Sequence, residues 1–253
     1  MNILEANHLH KVYGDGGQGA SLGLDRVSLN VKKGEFLAIM GPSGSGKTTL
    51  LNILSGIDKP TSGSVQINGD GISKMSGDEL ALFRRKQLGF VFQEFNLLDS
   101  LTVKENIIVP MVLEKKSSDY MDQKASEIMS VFGIEGLADK YPYNISGGQQ
   151  QRAAVSRALV NDPSIIFADE PTGNLDSKSS KIIMECFEKV VDNFQTTILI
   201  VTHDVFAASY CHNVMFIKDG RIHSKIVRKG SREEFLEQIM DSLALLGGSS
   251  HDF

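Results

Sequence analysis

Gly41-Pro42-Ser43-Gly44-Ser45-Gly46-Lys47-Thr48-Thr49 decides how the rest of the chain is read. Gly41 and Gly46 bracket four residues, and Lys and Thr follow, which is the phosphate-loop pattern. A phosphate tail carries several negative charges. Glycines such as Gly44 let the backbone curl until its N–H groups point inward at that charge. A helix starting near Lys47 adds the positive end of its dipole. Ser43, Ser45 and Thr49 belong to the same cradle, Lys47 brings a point charge for the β- and γ-phosphates, and Thr48 brings a hydroxyl for Mg2+.

The flanks supply the setting that the motif needs. Glu35 to Met40 reads as a short buried strand and Leu50 to Leu54 continues as a helix, giving strand, loop, helix. Upstream, Ile3 to Tyr13 is strand-like, and Leu24 to Val31 alternates with period two, as a half-buried strand does. Between them, Gly14-Asp15-Gly16-Gly17-Gln18-Gly19 matches the spaced-glycine dinucleotide fingerprint, but a strand follows where that fingerprint must open a helix, so it reads as a surface loop.

Downstream, strands keep alternating with helices. Ser64 to Ile67 is a strand closed by the hairpin-type pair Asn68-Gly69, and Ser76 precedes a helix through about Lys86. Leu88 to Phe92 is the next strand and delivers Gln93 at its end. From Asn96 to about Gly136 the character is helical: Thr102 and Glu105 form a capping-box pattern, and Met121, Ala125, Ile128, Met129 and Phe132 recur at helical spacing. Ser146-Gly147-Gly148-Gln149 opens another helix. Ser164 to Ala168 is an apolar strand ending in Asp169-Glu170, Ser177 to Val191 a helix, and Thr196 to Val201 a strand ending at Thr202-His203-Asp204. Lys218-Asp219-Gly220 turns between two last strands. Such alternation predicts an α/β fold with a largely parallel sheet, and ligands then collect at the carboxyl ends of the strands. Gln93, Asp169, Glu170 and His203 all fall there.

The tail differs. Ser231-Arg232-Glu233-Glu234 is a capping box, and Phe235, Ile239, Leu243 and Leu246 form a stripe ended by Gly247-Gly248. It reads either as a helix docked on its own domain or as a contact surface for a second copy or another subunit.

Composition narrows the function. The 253 residues are 41% hydrophobic and 23% charged, enough for a real core, and the net charge is −5. An acidic balance with no basic block beyond Arg84-Arg85-Lys86 argues against a nucleic-acid partner. Cys186 and Cys211 lack metal spacing and suit a reduced compartment. No signal segment opens the sequence, and its longest apolar stretches, such as Ile198 to Val201, are strand-length, so the chain reads as soluble.

Residue types at the strand ends suggest hydrolysis. Asp169 can hold Mg2+ opposite Thr48, and Glu170 is placed to accept the proton of a water aligned behind the γ-phosphate. His203 offers an N–H to that phosphate, and Gln93 can bridge metal and water through its amide. Ser146, Gly147, Gly148 and Gln149 form a second anion-facing helix start. One candidate for its anion is the γ-phosphate held by a second copy, which these residues permit without demanding.

Together these residues resemble the ATPase subunits of ABC transporters. Tyr13, Gly41 to Thr49, Gln93, Ile145 to Gln149, Ile165 to Glu170, Gly173-Asn174-Leu175-Asp176 and His203 appear in that family's order and spacing, and the likeness covers roughly residues 3 to 228. It implies a phosphate-loop NTPase with a mostly parallel core sheet, an N-terminal antiparallel β part and a helical subdomain inserted at about 96–160. The nucleotide-binding domain would span 1–230, and 231–253 would be the tail helix. It further implies adenine stacking on Tyr13, Mg2+ at Thr48, Gln93 and Asp169, catalysis by Glu170, Gln93 and His203, and Asp176 among the nucleotide-binding residues. ATP would be sandwiched in a head-to-tail pair, between Lys47 of one copy and Ser146 of the other. Implied partners are an integral membrane permease and, in some assemblies, a membrane sensor kinase, with the chain cytoplasmic and peripheral on the inner face of the membrane. Two departures are visible: Ile145 where Leu is usual, and Gly173-Asn174 where Ser-Ala is common.

A narrower likeness runs through Leu88 to Gln93, Phe95 to Leu98, Glu105-Asn106 and Phe167 to Asp176, which are similar to the lipoprotein-release and macrolide-efflux branch. Within it, Ala207 to Cys211, Ile217 to Gly220 and the tail ending Leu246-Gly247-Gly248 resemble the bacitracin-resistance (Bce-type) ATPases, which act on peptide antibiotics and lipid-linked targets. The segment around Phe95 and Leu98 would then meet the permease. A competing reading is a soluble or cell-division ABC-type ATPase that drives no transport. A GTPase or small-molecule kinase fits less well, because Asn-Lys-x-Asp is absent and Ser146 to Gln149 would have no role.

Overall fold

A computed structural model describes residues 1–14 and 19–247. The glycine-rich loop read between the first two strands therefore lies mostly outside the described residues, as do Gly248 and His251. The chain opens with β1 (Asn2–Tyr13), β2 (Ser21–Lys32), β3 (Phe36–Met40), α1 (Lys47–Leu54) and β4 (Ser62–Ile67). It continues through α2 (Gly77–Gln87), β5 (Leu88–Phe92), α3 (Val103–Leu113), α4 (Ser118–Val131), α5 (Gly147–Leu159), β6 (Ile165–Asp169) and α6 (Ser177–Phe194). It closes with β7 (Thr197–Val201), α7 (Val205–Ser209), β8 (Asn213–Lys218), β9 (Arg221–Val227) and α8 (Arg232–Gly247). The contacts divide the chain into two units, Met1–Ser76 with Leu199–Phe253, and Gly77–Ile198.

In the first unit, apolar alternation builds an antiparallel sheet in the order β2-β1-β4. A second set of strands has a different burial pattern. Every residue of β3 is buried, because strands covered on both faces carry continuous apolar runs. β3 pairs in parallel with β8, and β8 pairs antiparallel with β9, whose residues alternate between half-buried and exposed. The β8–β9 turn is Asp219-Gly220, with both residues at positive φ (49° and 71°), the hairpin geometry expected of that pair.

The tail helix is docked on this unit. Phe235 and Ile239 are buried, and α8 packs on α7. Arg232 lies 4.4 Å over the Tyr210 ring, and Lys218 Nζ donates to the Leu246 carbonyl at 2.8 Å. The capping box at Ser231 and Glu234 forms as expected, with both hydrogen bonds at 3.1 Å.

In the second unit, β5 and β6 pair in parallel, and α5 packs on β5, α3 and α6. The stripe of α6 buries Ile183, Met184, Phe187, Val190 and Val191 at helical spacing. Both bonds of the capping box at Thr102 and Glu105 form. Just inside that helix, buried Asn106 accepts from the Leu98 N–H and donates to the Leu98, Leu101 and Thr102 carbonyls, pinning the loop before α3. Among the described residues no helix is long and apolar enough to cross a membrane. Cys186 and Cys211 are buried and unbridged, and desolvation pushes the Cys186 thiol up to about 11, so it packs as an apolar group.

If α8 is part of the folded core, Phe235→Ala should lower stability by about 3–5 kcal/mol. Urea unfolding of the full chain measures this, and an unchanged midpoint would mean that the tail is not docked in solution.

Candidate functional site

The phosphate loop is shaped by what lies beneath it. Gly41 follows β3 beside the parallel strand β8, and a Cβ there would sit 2.1 Å from the Ile217 carbonyl oxygen. Gly46 has φ of 101° and its Cβ would meet the Gly23 carbonyl at 2.5 Å, so both position and conformation demand glycine. The β8–β9 turn buttresses the loop: the Gly220 N–H donates to the Ser45 carbonyl at 3.0 Å. Lys47 Nζ reaches back to the Gly41 and Pro42 carbonyls at 2.9 and 2.8 Å. α1 begins at Lys47 with no side-chain cap, and its positive end lies at the loop.

Tyr13 stands at the end of β1 beside this loop, partly exposed. Its hydroxyl lies 3.3 Å from both Thr49 Oγ1 and Asp58 Oδ2, and Lys11 Nζ sits 4.8 Å from the ring centroid. Burial pushes the Asp58 carboxyl up, but the hydrogen bonds from Lys11, the Lys59 N–H and Tyr13, with the Lys11 charge, together outweigh it and hold the group below its ordinary value. His203 follows β7 and is exposed, and Asp204 caps α7 through the Phe206 N–H at 2.8 Å. A cavity of 180 Å3 in this unit is lined by Met40, Gly41, Pro42, His203, Leu243 and Leu246, so the end of α8 reaches the phosphate loop and His203.

The second unit carries the remaining candidates. Register pairs Phe92 with Asp169, so Gln93 and Glu170 leave adjacent strand ends together. Glu170 adopts φ of 45°, uncommon for a non-glycine residue and often found at functional turns. Gln93 Nε2 donates to Asn174 Oδ1 at 3.1 Å, and Asn174 Nδ2 donates to the Gln93 carbonyl at 3.2 Å. Ser146 caps α5 in a reciprocal box: its Oγ accepts from the Gln149 N–H at 3.4 Å, and Gln149 Oε1 accepts from the Ser146 N–H at 2.9 Å. Gln149 is thus occupied locally, while the Ser146 hydroxyl keeps its proton to donate. Asp176 caps α6, and the Ser179 N–H and hydroxyl hold its carboxyl below the usual range.

Donor chemistry fits Mg2+. Of the residues expected to hold it, Asp169 and Gln93 in the second unit offer carboxylate and carboxamide oxygens and Thr48 in the first unit a hydroxyl, the hard donor types that this ion takes. Among the described residues no cluster of three or more His, Cys, Asp or Glu could hold a metal.

Two residues of α5 escaped the sequence reading. Buried Gln151 donates from Nε2 to the Pro171 carbonyl at 2.6 Å and to the Phe92 carbonyl at 3.3 Å, gripping both strand ends. Its Oε1 is buried without a partner. Arg157 donates to the Phe95 and Asn96 carbonyls at 2.9 and 2.5 Å, holding two consecutive residues at φ of 59° and 50°. Desolvation lowers its pKa. A signal for Gln151 was present: it falls on the apolar stripe with Ala154, Val155 and Ala158, where a polar residue must find buried partners.

A family model for "ABC transporter" matches residues 24–173. The chain is 51% identical over 251 residues to the ABC transporter ATP-binding protein YxdL of Bacillus subtilis, covering 99% of this chain and 97% of that one. It is 50% identical over 254 residues to the bacitracin export ATP-binding protein BceA of Halalkalibacterium halodurans, with 100% of each covered. A dimeric post-hydrolysis structure of the ATP-binding cassette MJ0796 of Methanocaldococcus jannaschii, bound to ADP and Pi, is similar with a TM-score of 0.81 and 39% identity, over 90% of this chain and 100% of that one.

Replacing the grip of α5 should loosen both turns. Gln151→Leu is expected to speed amide hydrogen exchange at residues 93–96 and 170–174 by about tenfold, the loss of one or two hydrogen bonds. Unchanged exchange there would show that Gln151 does not hold them.

Proposed function

We propose that this chain, which belongs to the ABC transporter family as an ATP-hydrolysing subunit, works as half of a head-to-tail pair that closes on two ATP molecules and opens after hydrolysis. The pairing has a precedent in the dimeric cassette similar to this chain. Residues 1–230 act as the nucleotide-binding domain, with the signature Ser146 to Gln149 carried by a helical subdomain at about 96–160.

In that pair, the α1 N–H groups and Lys47 bind the β- and γ-phosphates, and Tyr13 stacks on the adenine. The signature of the other copy closes the site, with Ser146 donating its hydroxyl proton to the γ-phosphate. Thr48, Asp169 and Gln93 hold Mg2+, which when bound neutralises phosphate charge. Glu170 accepts the proton of the attacking water, and His203 donates to the γ-phosphate and reports its presence. Asp176 lies near the nucleotide through the dimer-contact loop. The observation that carries this reading is the phosphate loop, whose Gly41 and Gly46 are demanded by backbone neighbours and whose helix start has no side-chain cap.

The energy is passed to a permease. A cleft of 550 Å3 in the second unit, lined by Arg84, Arg85, Phe90, Phe92, Pro110 and Leu113, supports docking of a cytoplasmic helix next to Gln93, together with Phe95 and the half-exposed Leu98. The chain is then held on the inner face of the cell membrane by its partner. Likeness over the full length to an export ATP-binding protein supports action on peptide antibiotics or lipid-linked substrates, with a membrane sensor kinase as a further partner in the assembly. It also disfavours the soluble or cell-division reading.

Glu170→Gln should lower hydrolysis by at least about a thousandfold, because a general base and its pre-organised charge are both lost. The same variant should run as a dimer on gel filtration only with ATP; a monomer under those conditions would overturn the head-to-tail arrangement. Lys47→Ala should weaken ATP binding by about tenfold or more, read by calorimetry.

A further inference from the structure

The contact between Gln93 and Asn174 fixes which end of the Gln93 carboxamide faces outward. A carboxamide presents oxygen and nitrogen in nearly the same place, but only the oxygen can ligate a hard cation or accept from water. Asn174 makes the choice in two steps. A backbone carbonyl can only accept, so the Asn174 atom 3.2 Å from the Gln93 carbonyl must be Nδ2. That turns Asn174 Oδ1 toward the Gln93 side chain, where Nε2 meets it at 3.1 Å. Gln93 Oε1 is therefore the end that this pair does not use.

The turn that presents Asn174 is built around the same contact. A Cβ on Gly173 would lie 2.8 Å from Gln93 Nε2 and 3.0 Å from its Cδ, so a larger residue would push the carboxamide away. The Gly173 N–H donates to the Glu170 carbonyl at 3.0 Å, and the Leu175 N–H to the Thr172 carbonyl at 3.1 Å. Gln151 anchors this turn at Pro171. The Gly-Asn pair, which stands where Ser-Ala is common, is thus one device: glycine makes room and asparagine orients.

We propose that Asn174 is a positioning residue for hydrolysis, holding the Gln93 carboxamide with Oε1 toward metal and water while Gly173 gives it space. This rests on the reading of Gln93 as the metal-and-water residue and adds what orients it. Both side chains are exposed, so the orientation is held by two modest hydrogen bonds, and neither substitution below removes a buried group.

The test is a double-mutant cycle on the full chain with Gln93→Ala, Asn174→Ala and both together. Two quantities are read: Mn2+ binding with a non-hydrolysable ATP analogue, by electron paramagnetic resonance, and kcat for ATP with Mg2+. Gln93→Ala alone tests the underlying reading, which fails if both quantities are unchanged. Given that Gln93 matters, Asn174→Ala should weaken Mn2+ binding by about tenfold, as loss of an outer-shell partner does, and should lower kcat. It should change nothing further once Gln93 is alanine. An equal loss in both backgrounds would overturn the proposal and mark Asn174 as a direct contact to nucleotide or second copy. So would wild-type Mn2+ binding and kcat in Asn174→Ala.

Discussion

The near-contact of Gly41 with the Ile217 carbonyl is the constraint on which the phosphate loop depends. Three backbone segments converge under that loop, with β8 beneath Gly41, the Asp219-Gly220 turn beneath Ser45, and Gly23 against Gly46. No side chain larger than hydrogen fits at Gly41 or Gly46. The curl that aims N–H groups at a phosphate is consequently set by packing of main chain on main chain, before any ligand arrives. Such pre-organisation lowers the ordering cost of binding a multiply charged group. The same packing gives the β8–β9 hairpin, far away in sequence, a direct part in shaping the phosphate loop.

A different device serves the second unit. Here α5 begins with its Ser146 cap and carries Gln151 and Arg157 along its length. These two residues grip carbonyls at Phe92, Phe95, Asn96 and Pro171, which bracket Gln93 and follow Glu170. One helix therefore ties the Ser146 helix start to the turns after β5 and β6 through hydrogen bonds to main chain. Buried carbonyls without donors are costly, which explains why a Gln is placed at position 151, where the stripe of α5 calls for an apolar residue.

Much of this was legible in the chain. Strands β3, β5 and β6 fall within about a residue of their expected bounds, since continuous apolar runs between Gly, Pro and Asp leave little choice of ends. The capping boxes at Thr102 and Ser231 form because they need only residues three apart, and the helix start at Ser146 closes in a box of the same kind. Helix α6 runs to Phe194, beyond the expected Val191, because its left-handed stop is Gln195 where a glycine is more usual. Helix α7 went unread: five residues give no periodicity, and only its Asp204 cap marks it. The stripe of α8 suits either its own domain or a partner, and burial of Phe235 and Ile239 selects its own unit.

What the sequence determined alone was the set of local solutions: a phosphate loop between strand and helix, carboxylates closing an apolar strand, and caps at helix starts. Each is settled by residues within a few positions of one another, where dihedral preference and short-range hydrogen bonding dominate. The tertiary structure decided the rest: that Ile217 and Gly220 support the loop, that Gln151 joins two strand ends, and that Asn174 faces Gln93 across 81 positions. Those choices depend on which distant carbonyls and amides are brought within 3.5 Å of each other, and no local pattern encodes a distance across the fold.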